Sequence, residues 1–379
     1  MSEVHLHIVS FDIPYPANYG GVIDVFYKIK ALHSAGVKIH LHCFEYHRKP
    51  SPELAEFCFE VNYYPRKTGL ISAITWMPYI VYSRRSGDLL ENLCRDGHPI
   101  LFEGIHSCYY LSNKLLENRV KIYRESNIEH QYYYHLFKAE KNLFKKVYFL
   151  ISGLKLRIFQ NQLGHSSLML TVSREDNAYL DSKFPGIKVE YLPSFHRDDD
   201  IRIKPGKGDY ILYQGNLSVA ENRKAAEFLI SKVFGKSDIK LVIAGLNPPD
   251  GLFHLAGKHD NVTLIANPSE EKMTELIRNA HINMMVTFQP TGLKLKLINA
   301  LFNGRFCLVN QEMVTGTKLG GICEIANAPS SLRQKAEELM TRSFSEEMVL
   351  NRKEVLLKWH SNKENCITLL DLLSLLSKN

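Results

Sequence analysis

His5-Leu-His-Ile-Val-Ser-Phe11 is a short β-rich run, and Pro14-Tyr-Pro-Ala-Asn-Tyr-Gly-Gly21 breaks it into a loop. Val22–Ala35 then carries helical periodicity, Gly36 stops it, and Val37–Phe44 is β-rich again. Hydrophobic period separates the two kinds of run, and proline and glycine punctuate them. A strand, a helix and a strand in that order make a unit whose strands lie parallel. The alternation continues with strands predicted at Ile100–Glu103, Val120–Tyr123 and Leu168–Val172, a long helical stretch over about 127–163, and a helix at Arg174–Phe184.

Residues 197–208 hold three aspartates, Pro205 and two glycines, and read as a linker. A second series follows, with strands predicted at Tyr210–Tyr213, Lys240–Ala244, Val262–Ile265, Ile282–Val286 and Phe306–Val309. Helices are predicted near 219–234, 269–279 and 292–303, and the chain is helical and leucine-rich from about Ser345 onward. The expected fold class is α/β, two doubly wound Rossmann-like domains facing each other across a cleft. Residues 1–195 and 196–345 form the domains, and the helices of 346–379 are expected to pack back toward the N-terminal one. In such sheets ligands sit outside the carboxyl ends of the strands.

Composition narrows the class. Of 379 residues, 45% are hydrophobic and 23% charged, as in a globular protein that can bury a core in each half. The net charge of +7 is spread along the chain, and no nucleic-acid motif accompanies it, so no nucleic-acid partner is expected. The seven cysteines form no CxxC pair and are odd in number, which points to reduced thiols in the cytoplasm and to no metal site. The opening Met1–Phe11 lacks the basic start and apolar stretch of a signal peptide, and no apolar run reaches the length of a membrane span. Leu70–Tyr82, interrupted by Pro78 and ending at Arg84 and Arg85, reads either as a buried helix with a charged end or as a peripheral contact at the inner membrane face.

Five stretches carry groups suited to chemistry. The loop ending at Gly20 and Gly21 precedes a helix N-terminus, a place for a diphosphate or simply a tight strand-to-helix turn. Gly215-Asn-Leu-Ser-Val-Ala-Glu-Asn222 stands at the same kind of place in the second half. Asn216 and Asn222 there can donate to phosphate or sugar, and Ser218 with Glu221 forms a candidate capping box. In Thr291-Gly-Leu-Lys-Leu-Lys-Leu-Ile-Asn-Ala-Leu-Phe-Asn-Gly304, Lys294 and Lys296 fall in the first turn of a predicted helix, where the macrodipole disfavours cations; a bound phosphate removes that conflict. The alternative is two solvated lysines. His106 in Glu103-Gly-Ile-His106 can hold a sugar hydroxyl or move a proton, or serve only as a structural hydrogen-bond partner. Arg124–Tyr134 gathers polar and aromatic groups, including Glu129 and His130, suited to a sugar face or to a helix start capped by Asn127.

Taken in order, these stretches resemble the retaining glycosyltransferases of the group-1 type, the large fourth family with the GT-B fold. Pro14–Gly21 resembles that family's first glycine-rich loop, Tyr213–Asn222 its "GN-L-S-x-x-x-N" variant, and Thr291–Gly304 its "G-[IL]-K-x-K-x-[LI]-E-A-x-x-x-G" helix. The resemblance implies transfer of a sugar from a nucleotide-diphosphate sugar, with no cofactor and no metal, to a glycan, lipid-linked or polysaccharide precursor. It implies donor contacts from Gly20, Gly21, Gly215, Asn216, Asn222, Thr291, Gly292, Leu293, Lys294, Lys296 and Asn299, and catalytic candidates His106, Glu129 and His130. The family's paired glutamates are matched here by Thr291 and Asn299. That replacement leaves open an inactive binding or scaffold protein of the same fold, and a sugar-nucleotide epimerase is the third reading.

Overall fold

The computed structural model describes residues 3–69, 72, 75–288 and 294–376, which divide into two compact units. The first comprises residues 3–195 and 362–376, and the second residues 196–288 and 294–361.

The first unit is built on seven strands: β1 His5–Ser10, β2 Lys38–Glu45, β3 Glu60–Pro65, β4 Ile100–Glu103, β5 Lys121–Arg124, β6 Leu168–Thr171 and β7 Lys188–Tyr191. They lie in the order β3-β2-β1-β4-β5-β6-β7, all parallel. Parallel pairing needs crossovers, and these are α1 Gly20–Ser34, α2 Gly87–Leu93, α3 Glu129–Ala139, α4 Leu143–Phe159 and α5 Arg174–Lys183, with short 3-10 turns. Strand alternation sends Leu6 and Ile8 into a core with Val25, Ile29 and Leu32 of α1, and Val9 into a second core with Phe44, Phe102 and Tyr123. Each such side chain contributes about 1.5–3 kcal/mol by leaving water.

The second unit repeats the plan with β8 Ile211–Asn216, β9 Leu241–Leu246, β10 Val262–Ala266, β11 Ile282–Met285, β12 Phe306–Val309 and β13 Glu324–Ile325. Their order is β10-β9-β8-β11-β12-β13, again parallel. Its main helices are α6 Ala220–Phe228, α7 Asp250–Ala256, α8 Glu270–Asn279, α9 Leu295–Asn303, α10 Pro329–Thr341 and α11 Glu346–Trp359. The last helix, α12 Asn362–Leu376, belongs to the first unit, where Cys366, Leu369, Leu372 and Leu373 join the core beneath α1.

Three strands went unforeseen, β3, β7 and β13, and each is an edge of its sheet. Edge strands are half solvated and lack the apolar run that marks a buried one; β3 ends in Pro65 and β7 opens with an exposed Lys188. The long helix expected over 127–163 is broken. The Glu140 carboxylate accepts the amides of Lys141 and Asn142, and the Asn142 side chain then caps α4 by accepting from Lys145 N at 3.1 Å. The capping box at Ser218 does not form either, since the helix is capped one residue later, at Val219, without a side-chain bond. Asn127 is likewise not a cap, because Ile128 takes that position.

Candidate functional site

In each sheet the chain order reverses once, between β1 and β4 in the first unit and between β8 and β11 in the second. Loops leaving the two strands at such a point diverge and open a crevice at their carboxyl ends. The loop stretches singled out in the sequence follow β1, β4, β5, β8 and β11, so four of the five border these two crevices.

In the first unit α1 starts at Gly20 directly after the β1 loop. Tyr19 at its N-cap makes no side-chain capping bond, its hydroxyl donating instead to Asp12 Oδ2 at 2.8 Å, and the first turn holds no acidic residue. The first-turn amides and the positive end of the dipole therefore face the loop without a capping side chain or a first-turn carboxylate. A Cβ on Gly21 would lie 2.5 Å from Cζ of Phe11, so the ring seats there only because the residue is glycine. The same ring lies 5.5 Å from that of His106. Gly104, at φ +69°, turns the chain out of β4, and a Cβ there would crowd His106 Nδ1 at 3.2 Å. That Nδ1 is buried and has no hydrogen-bond partner among the described residues. Burial, with Arg84 and Arg66 nearby, holds the imidazole well below its usual range, so the ring is neutral at pH 7.

Arg84 is buried and donates from Nε to the Phe11 carbonyl at 2.7 Å, with a second bond to the Ile80 carbonyl. Burial pulls its pKa down to about 9. Glu129, at the start of α3, is pushed up to about 7 by burial, against the opposing effects of Asn127 and Arg84. A neutral imidazole and a carboxyl that titrates near neutrality thus share the environment of Arg84.

Sequence reasoning missed the charges underneath. Lys28 donates to Asp24 Oδ2 at 3.0 Å and to Glu103 Oε1 at 2.6 Å, and all three are buried. Arg124 donates to Asp24 Oδ1 at 3.2 Å and to the Leu192 and Pro193 carbonyls, and Phe195 N donates to Asp24 Oδ1 at 2.7 Å. Burial alone would raise the Asp24 carboxyl, but Arg124 and Lys28 outweigh it and hold it at about 2. Glu103 is raised, by burial first and by Asp24, with Lys28 opposing. The network locks α1 to the ends of β4 and β5, and so fixes the floor on which Gly20, Gly21 and His106 stand. One signal was present: Lys28 falls between Val25 and Leu32 on the apolar stripe of α1, where a solvated lysine has no place.

His130 is turned away from this group. Its ring lies 6.0 Å from that of Tyr179 and lines a groove with Tyr134, Phe149, Leu154 and Arg157. Burial, then Lys183 and Arg157, lowers it to about 4.

The second unit's crevice is shaped mainly by side-chain amides, with Lys296 and Glu221 beside them. A Cβ on Gly215 would meet the Asn222 side chain at 3.2 Å, and one on Gly245 would lie 1.8 Å from the Gly215 carbonyl. Asn216 Oδ1 accepts from Ser218 N at 3.1 Å and from its hydroxyl at 2.7 Å. Asn222 Nδ2 donates to the Asn216 carbonyl at 3.0 Å, and its Oδ1 accepts from Lys296 Nζ at 3.1 Å. The Asn222 amide expected to serve a ligand is therefore engaged in shaping the loop. Lys296 lies one residue into α9, its pKa lowered by burial against the pull of Glu221, which itself accepts from the Thr287 hydroxyl. Lys294 is the N-cap of α9 rather than a first-turn residue. Asn299 Oδ1 accepts from Asn303, which also donates to Asp198. Thr291, Gly292 and Leu293 lie outside the described residues.

Leu70, Ile71, Ala73 and Ile74 also lie outside the described residues. In the rest of that segment Trp76 is 93% exposed, and the Thr75 carbonyl accepts from Lys155 of α4 at 2.7 Å. The α4 helix itself exposes Leu143, Phe144, Val147, Ile151, Leu154 and Ile158 along one face. Among the described residues no helix is long and apolar enough to cross a membrane.

No family model matches the chain. An uncharacterized 44.6 kDa protein in cps region from Klebsiella pneumoniae is 28% identical over 347 residues, which is 84% of this chain and 87% of that protein. Among solved structures, TarM superposes with a TM-score of 0.68 at 10% identity, covering 98% of this chain and 99% of its own. A glycosyltransferase from Rickettsia africae gives 0.66 at 11%, covering all of both chains. Anabaena HepE, solved with UDP and glucose, gives 0.64 at 9%, covering 98% of this chain and 100% of its own. These likenesses show the fold, two doubly wound α/β units of the GT-B kind.

Proposed function

We propose that this protein is a glycosyltransferase that moves a sugar from a nucleotide-diphosphate sugar to a glycan or lipid-linked acceptor. The observation that carries the reading is the uncapped α1 N-terminus at Gly20 and Gly21 beside His106 Nδ1, which has no partner among the described residues, at the switch point of a GT-B-type unit. An anion and a hydroxyl-rich ligand satisfy both needs at once. In this proposal the donor's diphosphate is held by the Gly215 loop and by Thr291, Gly292, Leu293, Lys294 and Lys296, with Asn299 toward the ribose. His106 meets the transferred sugar. Glu129 is the proton-handling group near the acceptor, and His130 lines the groove where an acceptor chain lies. Positive groups and amides matter most, because charge develops on the leaving diphosphate.

The acceptor side is proposed to meet an anionic membrane surface through α4. Its exposed apolar face is flanked by Lys141, Lys145 and Lys146, and apolar groups beside cations favour an interfacial position. Phe144→Glu should reduce flotation with anionic vesicles and leave donor binding unchanged; equal flotation of both proteins overturns this part.

A thermal-shift series with UDP, GDP, CDP, ADP and their sugars tests the donor site. A ligand at about 100 times its Kd stabilises by about 2.7 kcal/mol. A selective rise in Tm is expected, and it should vanish in Gly292→Trp; no rise with any nucleotide overturns the proposal. The engaged amides of Asn222 and Asn299 favour a second reading, a non-catalytic binding protein of the same fold. Slow release of free sugar from the bound donor speaks against it.

A further inference from the structure

Five histidines gather at the amino end of the first unit's sheet, the end opposite the loops described above. Strand alternation puts His5 and His7 of β1 on one face, and the register sets His7 opposite His40 and Val9 opposite His42, so the histidines of β2 share that face. His98 comes just before β4, the other neighbour of β1. The inner members are committed. His7 holds Asp96 through Nε2 at 3.0 Å and His42 through Nδ1 at 2.9 Å, and His42 in turn meets the Tyr64 hydroxyl at 2.8 Å.

In the outer three, where His5 and His40 are also hydrogen-bonded to each other, the ring nitrogens converge on one point. His5 Nδ1 and His40 Nε2 lie 3.0 Å apart, and one ring nitrogen from each of His5, His40 and His98 falls within 4.8 Å of the others. Two imidazole nitrogens bound to one tetrahedral zinc at about 2.0–2.1 Å are separated by about 3.3 Å, so the His5–His40 spacing needs little change. The His40 Nδ1 faces Glu60 Oε2 at 3.3 Å. A carboxylate behind a histidine in this way fixes the tautomer that presents the other nitrogen to a metal. Glu3 Oε2 stands 3.9 Å from His5 Nε2 and adds negative charge beside it. His98 is stacked on His5, ring planes 13° apart and centroids 4.5 Å apart, and its half-exposed position lets the ring rotate to share an ion with its neighbour.

We propose that His5, His40 and His98 bind a divalent late-transition-metal cation of the zinc class, with water in the fourth position and Glu60 orienting His40. The ligand set is all imidazole, which suits zinc, copper or nickel and disfavours magnesium and calcium. The position clips β2, β1 and the approach to β4 together at the end away from the proposed donor loops, so its role is to tie the strands. It is independent of the glycosyltransferase reading.

The test uses the full-length protein stripped with a chelator, titrated with zinc chloride and followed calorimetrically and by thermal melting. About one saturable zinc per chain with a rise in Tm is expected, and magnesium should give neither. The double variant His5→Gln/His98→Gln involves half-exposed rings and should keep the metal-free Tm while losing the saturable site. Glu60→Gln should weaken binding by about 10–100-fold. No saturable zinc binding, or binding that the double variant leaves unchanged, overturns the proposal.

Discussion

The two switch points use the same topology and different chemistry. Beneath the first lie two buried cations and two buried carboxyls, Lys28, Arg124, Asp24 and Glu103. Around the second the shaping groups are the amides of Asn216, Asn222 and Asn299, with Lys296 held by an amide oxygen. A buried ion network is rigid and costly to break, whereas an amide loop adapts at little cost. The difference suggests a first unit that presents a fixed floor and a second whose loop can adjust around a ligand.

The largest effect should come from Asp24→Ala, which removes the acceptor shared by Lys28, Arg124 and the Phe195 amide. Two buried cations then lose a partner, and urea unfolding should report a loss of about 3–5 kcal/mol. A loss under about 1 kcal/mol would erase the contrast between the two floors.

Next in size is Glu129→Gln. The folded-state pKa of about 7 lies above the ordinary 4.5, so the folded protein holds a proton that the unfolded chain has lost. Stability therefore falls as pH rises between those two values, and the penalty is fully developed above the upper one. Removing the titration should raise stability at pH 8 by about 2 kcal/mol, the partial exposure of the side chain trimming the full shift. At pH 4, where both forms are neutral, the two proteins should melt alike. A wild-type Tm that is flat from acid to neutral pH sinks this assignment.

On the second unit's side, Asn222→Ala leaves Lys296 Nζ without its amide acceptor and should cost about 1–2 kcal/mol. Asn216→Ala loses only the turn bonds to Ser218 and should cost about 0.5–1 kcal/mol. If either equals the Asp24 variant, the second unit is no softer than the first.

The sheets were legible because central parallel strands are apolar on both faces; β4 and β12 fall on the predicted residues. The edges β3, β7 and β13 were not, since half-solvated strands lose that mark. The loops after β1, β4 and β8 could be read from glycine and proline. Their buried floor left one trace, Lys28 on the apolar stripe of α1, but Glu103 and Arg124 meet Asp24 and Lys28 only through the order of strands in space. The histidines at the other end could not be assembled from the sequence, because only the pairing of β1 with β2 and β4 brings them side by side.

The seat of α12 on α1 gives the chain an unusual order of completion. The first unit begins to emerge from the ribosome early, yet its core closes only when Cys366 and Leu369 arrive, after every residue of the second unit has been made. Until then the apolar underside of α1 is open, a period in which a nascent chain is exposed to chaperones and to aggregation. A chain cut anywhere before residue 362 would leave that seat empty and the apolar underside of α1 uncovered.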